Sequence, residues 1–201
     1  MKNKFFILLF SITIVALGQQ SDGFKIETHD SSLLNNDATK PINDLLDFSH
    51  DLEKKKINHV LDAWHKAAAE ANFEAYFGLM TADAVFLGTD ATENWQNQEF
   101  KDFSKPYFDK GKAWSFTAVE RNIYLSENTD LAWFDELLDT QMKLCRGSGV
   151  LQKIDGDWKI AHYVLSIAVP NENVSELIKI KKQKDSLLLI DLKEKYFSTE
   201  N

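Results

Sequence analysis

Asp130–Pro170 reads DLAWFDELLDTQMKLCRGSGVLQKIDGDWKIAHYVLSIAVP. Three strands are expected in succession: Asp130–Thr140, Met142–Ile154 and Trp158–Val169. Asp155-Gly156-Asp157 is a hairpin signal between the last two, because Asp-Gly accepts the positive φ angles of a tight turn. Trp133, Phe134, Leu137 and Leu138 stock the first strand. Val150, Leu151 and Ile154 stock the second, and Ile160, Tyr163, Val164, Leu165 and Ile167 the third. Three neighbouring antiparallel strands create a large apolar face that must be covered, and the helices earlier in the chain are the available cover. The same stretch carries Asp135, Glu136, Arg146 and His162, the polar residues best suited to chemistry.

Upstream, Ile57, Val60, Leu61, Trp64, Ala67, Ala68 and Ala71 fall at i, i+3, i+4, i+7 spacing within Asp51–Ala71, one apolar stripe of an amphipathic helix capped by Ser49 or Asp51. A second, short helix is expected over Phe73–Met80 with Asn72 as its cap. Val85-Phe86-Leu87 forms a short strand stopped by Gly88-Thr89-Asp90. A third helix starts at Asn94 or Trp95, is strained or ended by Pro106, and stops at Gly111. Trp114–Leu125 alternates as a strand, with Trp114, Phe116 and Ala118 on one side and Val119, Ile123 and Leu125 on the other. After Pro170 a charged helix runs from Asn171 to Phe197. Its Leu187–Ile190 block either packs back on the domain or forms an oligomerisation or partner surface.

The first residues read as an address. Met1-Lys2-Asn3-Lys4 is a basic start, Phe5–Leu17 an apolar run too short to span a bilayer comfortably, and Ala16 and Gly18 a small-residue cleavage pair. Residues 1–18 are thus expected to be a signal peptide, residues 19–50 a polar N-terminal arm, 51–171 the folded domain and 172–201 a C-terminal helical extension. The expected destination is export, periplasmic or secreted, with no membrane attachment after cleavage. Losing Lys2 and Lys4 takes the net charge from −8 to −10, and only Arg121 and Arg146 are arginines. Such a surface argues against nucleic acid, whose phosphates require clustered cations. Cys145 is the only cysteine, so no internal disulfide forms, and core packing must hold the domain together.

Met80–Asp90 (MTADAVFLGTD), Ala132–Glu136 (AWFDE), Gly147–Leu151 (GSGVL) and Asp157–Tyr163 (DWKIAHY) resemble the strand motifs of the SnoaL-like branch of the nuclear transport factor 2-like superfamily, over about Asp51 to Asn171. The resemblance implies an α+β fold: a cone-shaped, curved antiparallel sheet wrapped around N-terminal helices, here with an extra C-terminal helix. It also implies an apolar pocket inside the cone. The activity implied is that of an isomerase, cyclase or dehydratase working by acid–base chemistry without a cofactor. The alternative is a non-catalytic ligand-binding or dimerisation module.

His162, mid-strand, is a candidate general base or a hydrogen-bonded structural histidine. Asp135 and Glu136 are consecutive in a strand and so face opposite ways. Whichever faces the cone is a candidate base with a raised pKa, or else an ion-pair partner of Arg146. Asp90 is a candidate pocket-rim group or a turn residue. Arg146 is suited to clamping a ligand carboxylate. Trp95, Tyr107 and Trp114 are candidates to line the pocket for a small apolar or aromatic molecule, or to fill the core. His29, His50, His59, His65 and His162 show no metal-ligand spacing, and His65 beside Trp64 is expected on the helix surface. Gly147-Ser148-Gly149 lies within a strand, where small residues permit a bulge or close packing. A homodimer through the outer sheet face is the expected assembly.

Overall fold

The computed structural model describes residues 40–198, with side chains from 45 to 197. The signal peptide expected over residues 1–18, and the arm up to residue 39, lie outside the described residues. Helix α1 (Lys40–Ala69) is followed by α2 (Phe73–Gly78), β1 (Met80–Leu87), β2 (Asn94–Gln96), α3 (Asn97–Asp109), β3 (Phe116–Leu125), β4 (Leu131–Thr140), β5 (Lys143–Ile154) and β6 (Asp157–Ile167); a 3-10 turn over Asn171–Asn173 leads into α4 (Val174–Ser198).

The six strands form one mixed sheet in the order β2-β1-β6-β5-β4-β3. All pairs are antiparallel except β1 with β6, which is parallel. The Asp155-Gly156 turn has φ of 53° and 92°, as a two-residue hairpin of the expected kind requires.

The stripe on α1 packs into this sheet. Ile57, Leu61, Trp64 and Ala68 are fully buried, each large apolar side chain contributing about 1.5–3 kcal/mol of transfer free energy. The helix begins well before Asp51: Pro41 fits the first turn, where a missing amide costs nothing, so Ser49 and Asp51 lie inside it. It ends where Ala71, at φ 51°, bonds back to the Ala68 carbonyl and Asn72 to that of Ala67, the paired closure typical of helix C-termini. Asn72 then caps α2 by accepting from the Ala75 amide at 3.1 Å.

Residues 94–96 form an edge strand rather than the start of the third helix. Helix α3 begins at Asn97, whose side chain donates to the Thr81 carbonyl and ties the helix to β1. It continues past Pro106 to Asp109.

Two irregularities decide which side chains face inward. Register shifts between Ala118 and Glu120 on β3, and between Ile160 and His162 on β6, are bulges. After the first, Arg121 and Ile123 face the same way as Phe116 and Ala118, and Val119 is left exposed. After the second, Tyr163 faces inward with Ile160, and His162 faces out. One extra residue reverses the alternation of everything beyond it.

Candidate functional site

Within the cone the sheet brings a buried carboxylate against α1. Glu136, from β4, is 1% exposed. Its Oε1 accepts from His65 Nε2 at 2.8 Å and from the Tyr163 hydroxyl at 3.0 Å, and its Oε2 accepts from Arg121 Nε at 2.8 Å. Arg121 Nη1 reaches Asp62 at 2.8 Å and the Asn58 side chain at 3.1 Å, both on α1. Burial alone pushes the Glu136 pKa up. The hydrogen bond and charge of His65 and the charge of Arg121 outweigh it and hold the carboxyl below its usual range. An ionised carboxylate only accepts, so the proton in the His65 contact sits on Nε2. Tyr163 is pushed well above the usual phenol range by burial and by the neighbouring Glu136 charge.

Gly147 makes this geometry possible. It pairs with Glu136, and a Cβ there would overlap the Tyr163 hydroxyl and meet Glu136 Oε1. Gly149 likewise leaves room for the Phe134 ring and the His162 carbonyl. Gly147-Ser148-Gly149 is thus a packing device on the inner face.

Beyond the network lies a cavity of about 140 Å³. Phe86 of β1, Trp95 of β2, Phe100 and Phe103 of α3, Trp114 just before β3 and Phe116 at its start provide aromatic walls. Leu165 and Met142 add apolar surface, and Gly88, Thr89, Glu93 and Gln141 complete the lining. The rings overlap closely: Phe86 on Phe100 at 4.1 Å and Trp95 on Phe103 at 4.4 Å between centroids. Phe86 also stacks on Tyr163 at 5.5 Å, and Phe116 meets the His65 ring at 5.8 Å. These two rings touch both the cavity and the network. Glu136, His65 and Tyr163 are not among the cavity's lining residues.

The residues singled out from sequence are dispersed. Trp95 and Trp114 line the cavity. Tyr107 is 47% exposed and packs on Phe103 outside it. Glu136 is the inward member of its pair. Asp135 lies on the outer face and accepts from Asn122 at 3.1 Å. His162 lies on that same outer face, in register with Val150 and Val85, and Arg146 is exposed there beside Leu137 and Ser166. Arg121, not Arg146, is the partner of Glu136. Asp90 is exposed in a loop, where its Oδ1 accepts from the Thr92 amide at 2.9 Å and hydroxyl at 2.6 Å; these bonds lower its pKa.

His65, expected on the helix surface, is 4% exposed. A signal existed: it lies four residues after Leu61 and eight after Ile57, on the buried stripe. Arg121 and Tyr163 were hidden by the two bulges. Among the described residues no group of three His, Cys, Asp or Glu side chains is placed to hold a metal ion.

Residues 57–170 match the family model for the SnoaL-like domain. Solved structures that resemble this fold include a candidate dehydratase of the NTF2-like family from Streptomyces avermitilis (13% identity, 60% of this chain and 99% of that one, TM-score 0.52). Others are an NTF2-like protein of unknown function from Pseudomonas putida (13% identity, 59% and 89%, TM-score 0.49) and the association domain of CaMKII from C. elegans (22% identity, 59% and 98%, TM-score 0.49). No curated protein matches the chain in sequence.

Proposed function

The chain belongs to the SnoaL-like family, and from that premise we propose that it is an exported small-molecule-binding domain whose ligand occupies the aromatic cavity. The observation that carries the reading is the cavity itself, an open hollow of about 140 Å³ lined largely by aromatic residues. An apolar cavity of roughly 150 Å³ accommodates a benzene-sized molecule, so the ligand, or the part of it that enters, is one ring or one compact apolar group. Drug-sized ligands use about 300–1,000 Å³ and extend beyond it.

Binding is favoured over acid–base catalysis by the state of Glu136. A general base needs a lone pair directed at the substrate. Both Glu136 oxygens are committed to three protein donors, and the cavity does not reach them. Export is supported by Lys2, Lys4 and the apolar run that follows. The assembly proposed is a homodimer through the outer sheet face, supported by the apolar side chains exposed there.

The test is ligand capture. The protein is purified from its native host's extracytoplasmic fraction, and its intact mass and co-purified small molecules are measured. A mass corresponding to a start at Gln19 and a bound molecule are expected. A Leu165→Trp variant, which fills the cavity from its wall, is expected to come through empty with an unchanged circular dichroism spectrum. A molecule retained equally by this variant would place the ligand elsewhere and overturn the reading.

A further inference from the structure

Two helical surfaces expose large apolar side chains, and they are opposite in charge. On α1, Leu45, Phe48 and Leu52 fall at i, i+3 and i+7, on the side of the helix opposite Ile57. Leu45 and Phe48 are 68% and 70% exposed. On α4, Ile180, Leu187 and Ile190 form a similar exposed line. Apolar lines of this kind mark contact surfaces. Residues 41–52 hold three aspartates and no lysine or arginine, whereas residues 174–190 hold four lysines against Glu176 and Asp185.

Within one chain the two lines are kept apart. Glu53 bonds to Trp158 Nε1 at 2.7 Å and pairs with Lys153 at 2.8 Å, so the exposed turns of α1 lie at the Asp157 end of β6. Helix α4 leaves from the Ile167 end, and the strand between spans roughly 35 Å. Leu87 of β1 pairs with Val164, so the loop carrying Asp90 also lies toward the Ile167 end. The Lys184 charge acts on Asp90 there, which keeps the middle of α4 at that end. From Lys184 to Ile190 the helix advances only about 9 Å, well short of its own α1 turns. A two-fold axis across the strands sets the Ile167 end of one copy beside the Asp157 end of the other.

We propose that two copies of this chain exchange helices, α4 of each packing its line of Ile180, Leu187 and Ile190 on the exposed first turns of α1 of the other. This rests on the pair proposed above and names what each copy contributes to its partner. Leu45, Phe48 and Leu52 supply the apolar side of the contact, and Asp47 and Asp51 stand toward the lysines of α4. The exchange covers both exposed lines with one symmetric contact.

The test is a cross-link. Full chains carrying Phe48→Cys and full chains carrying Leu187→Cys are mixed in equal amounts, mildly oxidised and read by intact mass, which resolves the three possible disulfide-linked pairs. Cys145 is fully buried and stays out of the reaction. The mixed disulfide is expected to exceed each like-with-like product at least about tenfold, because the contact holds the two thiols at a high effective concentration. Adding Asp47→Lys and Asp51→Lys to the Phe48→Cys chain is expected to lower the mixed yield at least about threefold, since like charges then meet. An unchanged yield there overturns the charge match on which the pairing rests. A like-with-like product in excess overturns the exchange in favour of identical helices pairing. A disulfide within a single chain carrying both cysteine substitutions overturns it in favour of α4 folding back on its own α1. Light scattering of the wild type separates the exchange from the pair. Twice the chain mass without a mixed disulfide overturns the exchange alone, and the single-chain mass overturns both.

Discussion

Glu136 shows what a single residue does in this fold. Its carboxylate is removed from water and receives three protein donors, one of them the permanently charged Arg121. Replacing one member of a buried ion pair with a neutral isostere leaves the other charge uncompensated, at a cost of about 3–5 kcal/mol. Glu136→Gln is therefore expected to lower unfolding stability by about 3 kcal/mol, read as a shift of the urea midpoint at unchanged slope. A loss below about 1 kcal/mol would mean that Arg121 finds sufficient compensation in Asp62 alone. The partners of this carboxylate were poorly legible in the sequence for a definite reason. From Trp158 and Ile160, strict alternation carries His162 to the inside; from Phe116 and Ala118, it carries Glu120 there. Each strand inserts one residue, and the inward positions pass to Tyr163 and Arg121. A bulge leaves no mark that period-2 reasoning detects. Gly147 and Gly149 were visible as small residues in a strand, but what they make room for comes from neighbouring strands.

Elements were more legible than contacts, because periodicity and turn chemistry act locally. The α1 stripe, the Asp155-Gly156 hairpin and the three long strands all follow from spacing, whereas β2 is too short to leave a pattern. The join between α1 and the β5–β6 hairpin is polar and was not foreseen. Glu53, on α1, accepts from Trp158 Nε1 at 2.7 Å and pairs with Lys153 and Lys56, each at 2.8 Å. Burial works to raise its pKa, but these hydrogen bonds and the Lys153 charge lower it from 4.5 to about 2. A carboxylate depressed on folding stabilises the folded state above its unfolded pKa, and that contribution fades as pH falls through the folded value. The helix-to-hairpin join is thus expected to weaken progressively from pH 4.5 toward pH 2. In Glu53→Gln, stability at pH 7 is expected to be lower and its decline over that interval shallower, measured by chemical unfolding across a pH series. Parallel curves for wild type and variant would remove Glu53 from the account of acid sensitivity.

At the scale of the whole molecule, the described residues fill the inner face of the sheet and leave large apolar side chains exposed on the outer one. One register row runs Tyr124, Trp133, Val150, His162 and Val85 across five strands. Tyr124 and Trp133 are each 46% exposed and stack at 5.8 Å, with half-buried Leu137, Val164 and Leu87 on the same face. An apolar surface of this kind marks an interaction site, and a second copy offers the self-complementary match that a two-fold axis supplies. The charged groups of the face, Asp135 and Arg146, are of opposite sign, so a two-fold arrangement can set one against the other across the axis. A stable pair buries about 1,600 Å² in total, and large aromatic side chains dominate the binding energy of such interfaces. Trp133→Glu removes the largest of them and sets two like charges close together in the pair. The wild type at tens of micromolar is expected to show twice the chain mass by light scattering, and the variant the single-chain mass, with the same circular dichroism spectrum because Trp133 takes no part in the inner core. A monomeric wild type would leave the row to a different partner. A dimeric variant would shift the contact to α4, whose exposed Leu187, Leu189 and Ile190 would then be the next residues to charge.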